Sequence, residues 1–170
     1  MKLLIAFLIS LLFTGCTSGV VKIMQKDLRD GKWYTGTGVV VGKNTVISPH
    51  HVVDGNKVCW VRVYKWPEAY KMFVRHRYML FANDIEPSVI VVSLKSHKFF
   101  NRDIFKIGNG TAYKVITRRG TFKWIGYKTK PGDSGSAVVN RKGELIGIVY
   151  GHRGDKPIYL RIKKEFIHEG

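Results

Sequence analysis

The chain has 170 residues, 45% of them hydrophobic and 12% aromatic, which suits one packed domain with a sizeable core and is too short for two. Lysine and arginine number 29 against 12 acidic residues, a formal net charge of +17, so the surface attracts anionic partners, unless the excess serves only solubility. No basic run is long enough for a nucleic-acid arm and no RNA-binding or zinc-finger signature is present, so no nucleic-acid partner is expected.

The first element is a targeting segment. Lys2 supplies a basic start, and Leu3 to Phe13 are apolar apart from Ser10, a run too short to cross a bilayer as a mature helix. It ends in Leu12-Phe13-Thr14-Gly15-Cys16, which resembles a bacterial lipobox, although Phe13 is bulkier than the usual residue there. The resemblance implies a signal peptide over 1–15, cleavage before Cys16 and a lipid on its thiol. Thr17, not Asp, follows the cysteine, which in that pattern favours the outer membrane, with the protein facing the periplasm. An ordinary secretory signal with an incidental cysteine is the alternative. The second cysteine is Cys59, so a lipidated Cys16 leaves no partner for an intramolecular disulfide.

Residues 16–32 read as the lipidated cysteine and a short polar tether, and 33–170 as the folded domain. From Trp33 onward, short β-rich runs alternate with turn residues: 38–41, 45–48, 58–64, 88–94, 137–140 and 145–150. Gly42-Lys43-Asn44 and Arg141-Lys142-Gly143 read as hairpin turns. Such a pattern predicts an all-β barrel or sandwich. Helical spacing occurs only at Arg161 to His168, where Ile162, Phe166 and Ile167 share a face.

Chemistry concentrates in Pro131-Gly132-Asp133-Ser134-Gly135-Ser136. A Gly-Asp-Ser-Gly-Ser string arises by chance in roughly one chain of this length in several thousand. A nucleophilic serine needs a tight turn that also aims backbone N–H groups at the developing oxyanion. Glycine before it permits that shape, and glycine after it permits close approach of the substrate. An ordinary glycine-rich hairpin is the bland alternative. The following residues, Ser136 to Gly151, form a strand, a turn and a second strand containing Gly147-Ile148-Val149.

Here the chain resembles the chymotrypsin-like (trypsin-like) serine peptidases, especially small bacterial and viral members. Gly36 to Asp54, with Ser48-Pro49-His50-His51-Val52-Val53, resembles the segment that delivers the catalytic histidine, and the register assigns that role to His51 rather than His50. Lys156 to Ile162 resembles the family's last strand. The resemblance implies two six-stranded-type β-barrels with a short C-terminal helix, Ser134 as nucleophile, His51 as general base, and an oxyanion hole from the N–H groups of Gly132 and Ser134. It implies a protein or peptide substrate and no metal or organic cofactor. No His-Glu-x-x-His, Cys-x-x-Cys pair or phosphate loop is present in the sequence either.

The third triad position departs from the pattern. The family expects an aspartate directly before an apolar strand, here Val89 to Leu94, yet Ser88 stands in that place. Asp84 is the nearest aspartate, with Glu86 and Pro87 close behind it, and proline is poor inside a sheet. Either Asp84 orients His51 or Ser88 fills the slot; Glu68 and Glu86 are further candidates without a motif. At Asp133 the family often has an internal ion pair, for which Arg118 or Arg119 is the expected cation. The resemblance places the primary pocket at Lys128, Thr129, Tyr150 and His152. Lys128 lies where trypsin-like enzymes carry an acid, and Thr129 matches a threonine that reads Glu or Gln in glutamyl endopeptidases. Those enzymes add a histidine where this chain has Val149. Two functional readings follow: a membrane-anchored serine endopeptidase, or a degenerate peptidase fold that binds an anionic envelope component or protein.

Overall fold

The computed structural model describes residues 19–27, 30–52, 59–64, 72–74, 77–79, 89–93 and 98–164, with backbone alone for 26–27, 59–64, 72–74, 77–79 and 89–93. The described chain is almost wholly β. Twelve strands form two antiparallel sheets.

The first sheet contains β1 (Val20–Asp27), β2 (Trp33–Gly42), β3 (Thr45–Pro49), β4 (Cys59–Tyr64), β5 (Met72–Val74), β6 (Arg77–Met79) and β7 (Val89–Ser93), in the order β5-β4-β1-β2-β3-β7-β6. The second contains β8 (Lys114–Thr117), β9 (Gly120–Lys123), β10 (Ala137–Val139), β11 (Leu145–Arg153) and β12 (Lys156–Arg161), in the order β12-β11-β10-β8-β9. Among the described residues the two sheets hold seven and five strands, in keeping with the expected two-barrel architecture. The tether reading of 16–32 is corrected: Val20–Asp27 is a strand paired on both sides, with β2 and β4. Val20, Val21 and Ile23 are buried, and their apolar surface holds the segment in the sheet. Arg161 closes β12, so the expected C-terminal helix does not start there, and its residues 165–168 lie outside the described residues.

Both expected hairpin turns are present. The second is held by Asn140, whose side-chain oxygen accepts from the N–H groups of Lys142 and Glu144 at 2.9 and 3.0 Å. This is the local bonding that suits asparagine to turns. The β8–β9 hairpin carries no such signal in the sequence. Its two-residue loop is Arg118-Arg119, secured by Thr117, whose hydroxyl accepts from the Arg119 N–H at 3.0 Å and donates to the Gly120 carbonyl at 3.1 Å.

The core follows strand alternation. Ala137 and Val139 face a cluster with Val20, Val39, Ile47, Leu145, Ile148 and Ile162, which joins the two sheets. Val138, pointing the other way, packs with Val115, Tyr127, Ile146 and Val149. β10 is thus apolar on both faces because both are covered. Residues 98–108 stitch the sheets together. Phe99 and Phe105 donate to Lys43 and Val40 of the first sheet, while Lys106 accepts from Leu145 of the second. Among the described residues no helix is long and apolar enough to cross a membrane.

Candidate active site

The site is built where the turn before β10 meets β2. Gly132 and Gly135 adopt φ of +90° and +93°, the left-handed region that side chains avoid. A Cβ on Gly135 would overlap the carbonyl oxygen of Thr37. The glycine after Ser134 therefore admits the backbone of β2, which differs from the substrate approach expected from the motif. The Thr37 N–H donates to the Ser134 carbonyl at 2.9 Å, and the Thr37 hydroxyl donates to the Gly132 carbonyl at 2.7 Å. Within this turn, the N–H groups of Asp133, Gly135 and Ser136 reach the carbonyls of Lys130, Val149 and Asp133. Those of Gly132 and Ser134 have no acceptor among the described residues.

Asp133 locks the turn from inside. It is buried and accepts from Arg119 Nε and Nη2 at 3.1 and 2.6 Å, from the Tyr127 hydroxyl at 2.5 Å and from the Lys130 N–H at 2.9 Å. Burial by itself raises its pKa, but these donors outweigh burial and hold the carboxyl below its ordinary value. Burial, with the Asp133 hydrogen bond behind it, pushes the Tyr127 phenol up, so it stays a donor. Arg119 is thus the internal cation, and Arg118 takes a different place: its Nε donates to the Thr37 hydroxyl at 3.1 Å. The sequence reading missed Thr37 and Tyr127. Thr37 stands between Gly36 and Gly38, a signal of close packing, whereas nothing adjacent to Tyr127 points to Asp133.

His51 follows β3 on a turn closed by Val52 N–H to Pro49 carbonyl at 3.0 Å. Pro49 pairs with Val89, so the histidine turn is level with the start of β7. Burial first, and the neighbouring His50 second, hold the His51 imidazole below the usual histidine range. No described carboxylate contacts it. Asp84, Ser88, Glu68, Glu86 and Cys16 lie outside the described residues.

Tyr150 joins the two halves. Between Val149 and Gly151 the β11–β12 register shifts, with Val149 opposite Tyr159 and Gly151 opposite Ile158. Tyr150 is the extra residue of a β-bulge, a device that redirects strand residues beside functional sites. Its carbonyl accepts from Ser134 Oγ at 3.4 Å, and its ring meets the His51 ring edge to face at 4.8 Å. The same shift brings His152 Nδ1 within 3.3 Å of Thr129 Oγ1. Lys128 is exposed beside them.

No protein-family model matches the chain. Solved structures do match it. The serine protease of human pathogenic astrovirus is 20% identical, covering 88% of this chain and 93% of its own, with a TM-score of 0.61. The active form of the Rv3671c protease from M. tuberculosis is 17% identical over 96% of this chain and 82% of its own, at 0.59. HL collagenase is 14% identical over 87% and 90%, at 0.64. This chain has the chymotrypsin-like serine protease fold. In this chain the Gly132–Ser136 turn and the His51 turn adjoin strands of different sheets, and Tyr150 touches both. Identities this low speak for the fold and leave the chemistry to the site itself.

Proposed function

We propose that this protein is a serine endopeptidase tethered to an envelope membrane through Cys16. The observation that carries the reading is the shared contact of Ser134 and His51 with Tyr150, at 3.4 and 4.8 Å, beside a turn with two N–H groups that have no acceptor among the described residues. Ser134 Oγ attacks the peptide carbonyl carbon, and its proton passes to the neutral His51 imidazole. The oxyanion takes hydrogen bonds from the Gly132 and Ser134 N–H groups. Collapse expels the amine, which takes the proton from His51, and water then hydrolyses the acyl ester by the same route. In this proposal Asp84 orients His51, with Ser88 as the alternative.

The Thr129–His152 pair supports an acidic or polar residue at the cleavage site. A hydroxyl and an imidazole together can bond a carboxylate or an amide, whereas Lys128 repels a basic side chain. The lipobox supports the anchor, with the protein held at the outer membrane and facing the periplasm, and the +17 charge supports an anionic surface partner.

The deciding experiment is fluorophosphonate labelling of the full-length protein, with Ser134→Ala and Asp84→Ala alongside. Labelling lost in Ser134→Ala is expected, and its loss in Asp84→Ala would complete the triad. A folded protein that stays unlabelled replaces the peptidase reading with a binding role for an anionic ligand. Incorporation of radiolabelled palmitate that disappears in Cys16→Ala tests the anchor.

A further inference from the structure

We infer that Arg118 selects an acidic side chain on the leaving-group side of the bond attacked by Ser134. The inference rests on the peptidase reading and adds a substrate preference that the Ser134–His51 chemistry does not require.

The Ser134 turn meets two sets of residues. One contains Tyr150, whose carbonyl takes the Ser134 hydroxyl, and His152, two residues on, which pairs with Thr129. The other contains Thr37, whose hydroxyl reaches the Gly132 carbonyl at 2.7 Å, and Arg118, whose Nε reaches that hydroxyl at 3.1 Å. In this inference an extended substrate passes one set and then the other. With the residue whose carbonyl is attacked held at Thr129 and His152, the departing segment crosses Gly132 toward Arg118.

Arg118 is fitted for an anion. A Cβ on Gly132 would come within 2.9 Å of Arg118 Nη2, so the guanidinium lies directly against the peptide that precedes Asp133. The nearest carboxylate is already committed, because Asp133 is filled by Arg119, Tyr127 and the Lys130 N–H. Among the described residues Arg118 has no carboxylate of its own. Burial lowers its pKa, with the nearby Asp133 charge working against that shift, so part of its hydration is already lost. One edge of the fork is held by Thr37 while the Nη edge remains, and a planar, pre-positioned fork suits a carboxylate. The Arg118-Arg119 turn thus divides its two cations: Arg119 braces the site and Arg118 faces the substrate.

The test uses fluorogenic peptides identical through the cleaved residue and bearing Glu, Ala or Lys at each of the next two positions. The enzymes are the wild type, Arg118→Gln and Arg118→Glu. The wild type is expected to favour Glu over Lys by about tenfold or more in kcat/KM, the scale of one charge-assisted hydrogen bond. Arg118→Gln should flatten the preference and Arg118→Glu should invert it toward Lys, whereas a merely structural Arg118 would slow all three peptides equally. A wild type that takes fluorophosphonate on Ser134 but cleaves the three peptides alike, or an Arg118→Gln enzyme that keeps the ratio, overturns the assignment alone. A wild type that neither cleaves nor is labelled overturns the peptidase reading and this inference together.

Discussion

Arg119 grips Asp133 through two nitrogens on one edge of its guanidinium, at 3.1 and 2.6 Å, although the two lie 14 residues apart. The arginine comes from the β8–β9 hairpin and the aspartate from the turn before β10. The pair ties the outer strand of the second sheet to the nucleophile turn. Its cation comes from within the chain, so the turn is braced by groups already present.

Removing this brace should damage both turnover and stability. Asp133→Asn loses the charge assistance of Arg119, and we expect kcat to fall on the order of 10²-fold, the scale of losing one oxyanion donor. Arg119 is 37% exposed, so solvent screens the released guanidinium. The stability loss is accordingly about 2 kcal/mol, read from denaturant midpoints. Unchanged turnover in a folded Asp133→Asn would remove the brace from the mechanism.

Acid should release the same contact. The folded-state Asp133 carboxyl titrates below its ordinary value of 3.8. Its stabilising contribution is therefore complete above that value and is lost as pH falls through the lower, folded-state value. A urea series across that window should show a steeper loss for the wild type than for Asp133→Asn. Parallel curves would place the acid sensitivity elsewhere.

Catalysis should survive to moderately low pH. The base must be neutral, and burial with His50 nearby keeps His51 below its ordinary value of 6.5. The acid limb of kcat/KM is expected below pH 6.5 as a result. A limb above 6.5 would show a carboxylate stabilising the imidazolium in the working enzyme, and Asp84→Ala would then lower it.

Substrate choice should depend on Thr129 and His152 jointly. Peptides with Glu or Gln at the cleaved residue should be the best substrates. Thr129→Val and His152→Ala should each reduce kcat/KM on them by about tenfold. Fastest cleavage after Lys or Arg would sink this assignment.

Gly135→Ala should be among the most damaging small changes. The new methyl would meet the Thr37 carbonyl at a φ of +93°. Backbone strain and overpacking together cost about 3 kcal/mol or more. Thermal unfolding within a degree of the wild type would show that β2 can yield.

The sequence by itself determined the β class, the two expected hairpin turns and the tight turn that carries Ser134. These are local matters: alternation, turn residues and short motifs record them in adjacent positions. Tertiary structure decided the rest. β1 looked like a tether because Lys22 and Gln25 break its apolar pattern, and only pairing with β2 and β4 makes that segment a strand. The β8–β9 turn of two arginines has no turn chemistry of its own, so the division of labour between Arg118 and Arg119 emerges only when Thr37 and Asp133 are brought beside it. His152 sat too far along β11 to match the expected histidine, and a single extra residue at Tyr150 brings it to Thr129. A bulge, a hairpin without turn residues and a contact between two sheets depend on what lies across from a residue, which its neighbours along the chain do not encode.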